Sequence, residues 1–137
     1  TLNMGYYNVE LSKLPLVWNS DLHWIGQTSL VNIFAHTDLR GTWTFTGPRC
    51  EITGHGQVLD LAQGAIVVDN NSVLCLSNIT LDNITESAIR CMGNNSKIIL
   101  DNVVWKQDAG SSYIFDQGSI EFMNKVRMSG NGLFVYS

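Results

Sequence analysis

Few residues in this chain are of kinds that do chemistry, and their spacing is the first thing to weigh. Three histidines, three cysteines and twelve acidic side chains are spread over 137 residues. His55 lies between glycines in Gly54-His55-Gly56. An imidazole in a tight turn can move a proton near neutral pH, yet two flanking glycines are also what a sharp turn requires, and the turn is the reading adopted. Asp69 and Asp116 open equivalent polar turns. Paired carboxylates ~5–10 Å apart would suit glycoside hydrolysis, but Asp at a turn start caps nearby N–H groups, which accounts for both positions. Asp82 and Asp101 fall under the same explanation, and Arg127 has no acidic cluster beside it to hold calcium. Cys50, Cys75 and Cys91 show neither C-x-x-C nor zinc-ligand spacing, so neither metal nor disulfide is expected. Trp18, Trp24 and Trp43, with Tyr6 and Tyr7, could form an aromatic platform for sugars. Packing over the end of the core is the competing and preferred role. Trp24, Trp43, His55, Asp69 and Asp116 stand as the ligand candidates. No catalytic set and no cofactor emerge.

The elements that would position these residues follow from an internal repeat. Three segments, beginning at Ala65, Ala88 and Tyr113, each read as apolar strand, polar turn ending in Ser, apolar strand, Asn, apolar strand. Asn78, Asn102 and Asn124 are 24 and 22 residues apart, and Ser72, Ser96 and Ser119 are 24 and 23 apart. A more diverged copy surrounds Trp43-Thr44-Phe45 and Cys50-Glu51-Ile52, with Gly54 in the Asn column. Three short strands per period of about 23 predict one turn of a parallel β-solenoid. A leucine-rich repeat would need a denser Leu pattern and a helical arc. Strand alternation stacks Leu74, Ile98 and Ile120 in one inward column and Leu76, Leu100 and Phe122 in another. It turns Glu51, Cys75, Ile99 and Glu121 outward, with Thr80, Val104 and Arg127 outward after the Asn. The asparagines suit a left-handed turn and can bond amide to amide at the ~4.8 Å winding spacing.

Composition agrees. The chain holds 13 Asn, 12 Ser, 9 Thr and 12 Gly against 5 Ala, 4 Glu and 4 Lys, a strand-and-turn palette. Charged residues make up 15% and net charge is −4, which argues against a nucleic-acid partner. No apolar run approaches the ~18 residues of a membrane span. Residues 41–137 are expected to form the coils. Residues 1–40 are expected to form an irregular first coil and a cap. Leu133–Ser137 reads as the first strand of a further coil. The four N-x-S/T sequons are read as products of turn composition. The outward triplet Thr42, Thr44 and Thr46 is not repeated on successive coils, which excludes a flat ice-binding array.

The coil pattern, together with Ile52-Thr53-Gly54-His55-Gly56-Gln57-Val58-Leu59-Asp60, resembles the right-handed parallel β-helix of the pectate-lyase-like superfamily. It is similar in particular to low-charge, Asn-rich repeats of bacterial surface proteins. Polygalacturonases of that fold carry a Gly-His-Gly with a catalytic-site His. Their Asn-Thr-Asp, Asp-Asp and Arg-x-Lys companions do not occur in order here. The resemblance implies fold and not activity. The expectation is a non-catalytic structural or adhesive module of a secreted or bacterial cell-surface protein, contacting itself, another protein chain or a polysaccharide. The alternative is a lyase or hydrolase of acidic polysaccharide, or a fragment of one.

Overall fold

The computed structural model describes residues 2–3, 6–11 and 14–136. They form a parallel β-solenoid of about six turns. The first winding holds β1 (Leu2–Asn3), β2 (Tyr6–Glu10) and β3 (Leu16–Trp18). The second holds β4 (Leu22–Ile25), β5 (Thr28–Asn32) and β6 (Thr37–Leu39), and the third β7 (Thr42–Thr46), β8 (Arg49–Thr53) and β9 (Val58–Asp60). Thereafter two strands suffice for each winding: β10 (Ala65–Val68) with β11 (Val73–Ile84), β12 (Ile89–Cys91) with β13 (Lys97–Gln107), and β14 (Tyr113–Phe115) with β15 (Ser119–Ser129). β16 (Phe134–Tyr136) pairs with β14. One face is β1-β4-β7-β10-β12; a second runs from β2 through β5 and β8 into the first halves of β11, β13 and β15. The third stacks β3, β6 and β9 on the second half of β11. Among the described residues no helix is long and apolar enough to cross a membrane.

The inward columns form as alternation requires. Cys50, Leu74, Ile98 and Ile120 are register partners, as are Ile52, Leu76, Leu100 and Phe122. Leu74, Leu76, Ile98 and Leu100 are fully buried, each contributing roughly 1.5–3 kcal/mol by removal from water. Beyond the corner Leu59, Leu81, Trp105 and Met128 stack, with a one-residue slip between Asp101 and Val103 that brings Val126 under Val103. On the first face Trp43 stacks on Ile66 and Ile89, and Phe45 on Val68 and Cys91.

The corner between second and third faces is a single left-handed residue: Asn78 at φ 51°, Asn102 at 54° and Asn124 at 56°. A left-handed conformation costs most side chains about 1–2 kcal/mol and Asn much less. That explains the periodic Asn without requiring it to point inward, and all three side chains are exposed. Gly54, expected to share this backbone shape, does not. The left-handed residue there is His55, at φ 49°. Gly54 is required by close approach, since a Cβ on it would lie 2.6 Å from the Cβ of Ile79. The repeated serines tie windings together: Ser72 Oγ accepts from the Gly47 N–H at 3.0 Å, and Ser96 Oγ donates to the Asp69 carbonyl at 2.7 Å.

Residues 1–40 contain strands β1–β6, whose register runs continuously into the later windings. This region builds two windings where the sequence suggested one irregular coil and a cap. Corner lengths hide them: four residues, 33–36, separate β5 from β6, where one asparagine serves in later windings.

Candidate functional site

Among the described residues, polar side chains gather in four places on the outside of this prism that bear on function. The first is the corner between second and third faces. His55 Nε2 lies 3.0 Å from Asn32 Oδ1 and donates to it, and Asn32 Nδ2 donates to Asn8 Oδ1 at 2.5 Å. The chain crosses three windings, and Asn32 is 7% exposed. The His55 ring stacks on Phe34 with centroids 4.5 Å apart. Further along, Asn102 Nδ2 donates to Asn78 Oδ1 at 2.8 Å. Asn124 reaches Asp101 Oδ1 instead, at 2.6 Å, because the one-residue slip offsets it from Asn102. A shallow hollow of about 430 Å³ lies beside His55, Asn78, Thr80, Asn102 and Val104.

The second is on the first face. Thr46 Oγ1 donates to Asp69 Oδ2 at 2.6 Å and lies 2.7 Å from His23 Nε2. The hydroxyl's one proton is committed to Asp69, so Nε2 must carry a hydrogen and donate. His23 in that state cannot take the Thr46 proton, which is directed at the Asp69 carboxylate instead. The cluster spans three windings, as the corner chain does.

The third was not recognised in the sequence. Asp38, Asp60 and Asp82 are register partners on β6, β9 and β11, facing outward. Their spacing of 22 and 22 residues is the signal that could have found them. Asp60 Oδ1 accepts from Asn83 Nδ2 and from the Ala62 N–H, both at 2.9 Å, and Asp38 pairs with Arg40 at 3.0 Å. Among the described residues no group of three or more His, Cys, Asp or Glu is placed to share a metal ion.

The fourth is the outside of the second face. Leu30, Glu51, Cys75, Ile99 and Glu121 form one register column. Two residues away along the strands, Val73, Lys97 and Ser119 form another, with Thr28 and Arg49 paired above Val73. A groove of about 520 Å³ runs between Pro48, Arg49, Cys75 and Ile99. The Cys75 thiol is pushed up to about 11, first by burial and then by Glu51 and Asp101. Burial alone takes Cys91 to about 11, and burial also raises Cys50 against a smaller opposing hydrogen bond from Ser29. All three cysteines are free. Tyr113 is raised by burial, then by Cys91 and Asp116, and its hydroxyl donates to the Ile89 carbonyl.

The five ligand candidates do not converge. Trp24 and Trp43 are 1% and 0% exposed. Alternation turns both inward, where Trp24 stacks on Phe45 at 5.9 Å and meets Trp43 edge-on at 5.7 Å. They therefore cannot serve as a sugar platform. Trp18 also packs edge-on to Trp43, at 5.9 Å, and the Tyr6 and Tyr7 side chains lie outside the described residues. His55 is at the corner, Asp69 on the first face, and Asp116 is exposed just after β14, two windings beyond Asp69. Comparison with family models, with curated proteins and with solved structures finds no match for this chain. The fold therefore stands on the register of its own strands.

Proposed function

We propose that this chain is a non-catalytic β-helix module of a secreted or bacterial cell-surface protein, acting as a rigid structural or adhesive element. Its relation to the right-handed, pectate-lyase-like β-helices belongs to the same proposal and rests on the coil pattern. One observation carries the reading: several of the side chains suited to chemistry are bonded from winding to winding. His55 is held by Asn32, Asp69 by Thr46, Asp60 by Asn83 and Asn78 by Asn102. Groups used this way brace the stack and leave flat, regularly spaced rows for contact with a protein chain or a polysaccharide. The competing reading is a lyase or hydrolase of acidic polysaccharide. Incubation with polygalacturonate, following unsaturated products and reducing ends, separates the two. We expect no turnover by the wild type. Turnover that His55→Ala or Asp69→Asn abolishes would overturn the proposal.

A further inference from the structure

We propose that the outside of the second face is a homodimer interface, on which a second copy docks with its two-fold axis parallel to the stack of windings. The inference rests on the reading of this chain as a contact module and names its partner. The face is half-buried and apolar at its centre, where Val73, Cys75 and Ile99 adjoin, with Leu30 beyond Glu51. Its charges are only partly paired within one copy: Lys97 meets Glu121, and Glu51 accepts from the Ser77 hydroxyl. Arg49 makes no ion pair among the described residues, although Glu51 is two positions away on the same side of the strand.

A two-fold axis along the stack lays windings of equal number opposite each other with strands antiparallel. It passes between the two outward columns and sets each against the other. Arg49 then faces Glu51 of the second copy, and Glu51 faces its Arg49. Val73 meets Cys75 twice, and the Lys97 stem lies over Ile99. A two-fold along the strands would instead set each column on itself and, centred on Val73, bring Arg49 over Lys97, a like-charge contact. Of these two arrangements charge complementarity favours the first. Six strands of five residues cover about 17 by 29 Å in plan, or roughly 1,000 Å² for both copies. That is the lower limit for a specific interface, so a weak, reversible dimer is expected.

Sedimentation equilibrium of the full chain at about 1–200 μM tests this, with circular dichroism checking that each variant is folded. The expected result is a monomer–dimer equilibrium. Arg49→Glu and Glu51→Arg should each weaken it about tenfold or more, and the double reversal should restore it to within about threefold. Four results would overturn the inference: a monomer throughout, a dimer indifferent to single reversals, a double reversal no better than the singles, or open-ended polymers. A monomeric wild type would leave the module reading standing, because polygalacturonate turnover decides that separately.

Discussion

The fifth and sixth windings carry the same pattern, yet the same column position is worth different amounts in each. Leu100 has a strand on either side, β11 and β15, and is fully buried. Phe122, its partner in the sixth winding, is 50% exposed, because β15 pairs only with β13 among the described strands. Ile120 is likewise half-buried where Ile98 is fully buried. In a solenoid the energetic unit is the contact between windings, and a letter in the sequence has no fixed value until both neighbours are counted.

The largest expected effect breaks that comparison directly. Leu100→Ala should cost about 2–5 kcal/mol, since it removes a fully buried side chain and leaves a cavity between two strands. Phe122→Ala removes more atoms but should cost about half as much or less, since half its surface already meets solvent. Urea unfolding of the two variants checks this. Equal losses would mean that the sixth winding is covered in solution.

Next in size is the corner. Asn102→Leu should cost about 1–2 kcal/mol, mostly from forcing a branched side chain into the left-handed region. Asn102→Gly should cost less, although it too loses the amide bond to Asn78. If Gly proves as harmful as Leu, the amide ladder and not the backbone holds the corner.

The same contrast sets what could be read from the sequence. Windings four to six were legible because their corners are one asparagine long and their turns end in serine, so Leu76, Leu100 and Phe122 align by counting. The second and third windings obey the same geometry with compensating lengths. The turn Gly47-Pro48 is two residues where 69–72 is four, and the corner 54–57 is four where Asn78 is one. Counting back from Asn and Ser still brings Cys50 and Ile52 under Leu74 and Leu76 but fails in the second winding, though the Asp38, Asp60 and Asp82 spacing survives. The candidate site was less legible. Trp24 and Trp43 are aromatic and also inward, and only the strand boundaries decide which property matters. His55 stands out by its flanking glycines, but its bond to Asn32 depends on the second winding, which the Asn and Ser spacing does not reveal.

A smaller effect should appear on raising pH. Cys75 and Cys91 are both displaced upward to about 11 from 9.0. The unfolded chain gives up these protons first, so the folded state holds more of them between about pH 9 and 11. Stability is therefore intact below about 9 and declines as pH rises through that interval. Melting temperatures measured from pH 8 to 11 should fall, and Cys75→Ser should make the decline shallower. An unchanged slope would place the Cys75 thiol in more open surroundings than its half-buried position on the outer face.

The smallest effect distinguishes the third and sixth windings within one outward column. Glu51 accepts a 3.0 Å hydrogen bond from the buried Ser77 hydroxyl, and Glu51→Ala should cost about 1 kcal/mol by leaving that hydroxyl unpaired. Glu121 pairs with Lys97 at 2.5 Å, but the two side chains are 45% and 40% exposed. Water and salt screen such a pair, and holding two long side chains together offsets much of the attraction. Glu121→Ala should therefore change stability by less than about 0.5 kcal/mol, and by less still in 1 M salt. In protein dilute enough to be monomeric, a Glu121→Ala loss as large as that of Glu51→Ala, persisting in salt, would mean that the sixth winding's outer face is buried within a single chain, and the contrast with the fifth winding would have to be redrawn.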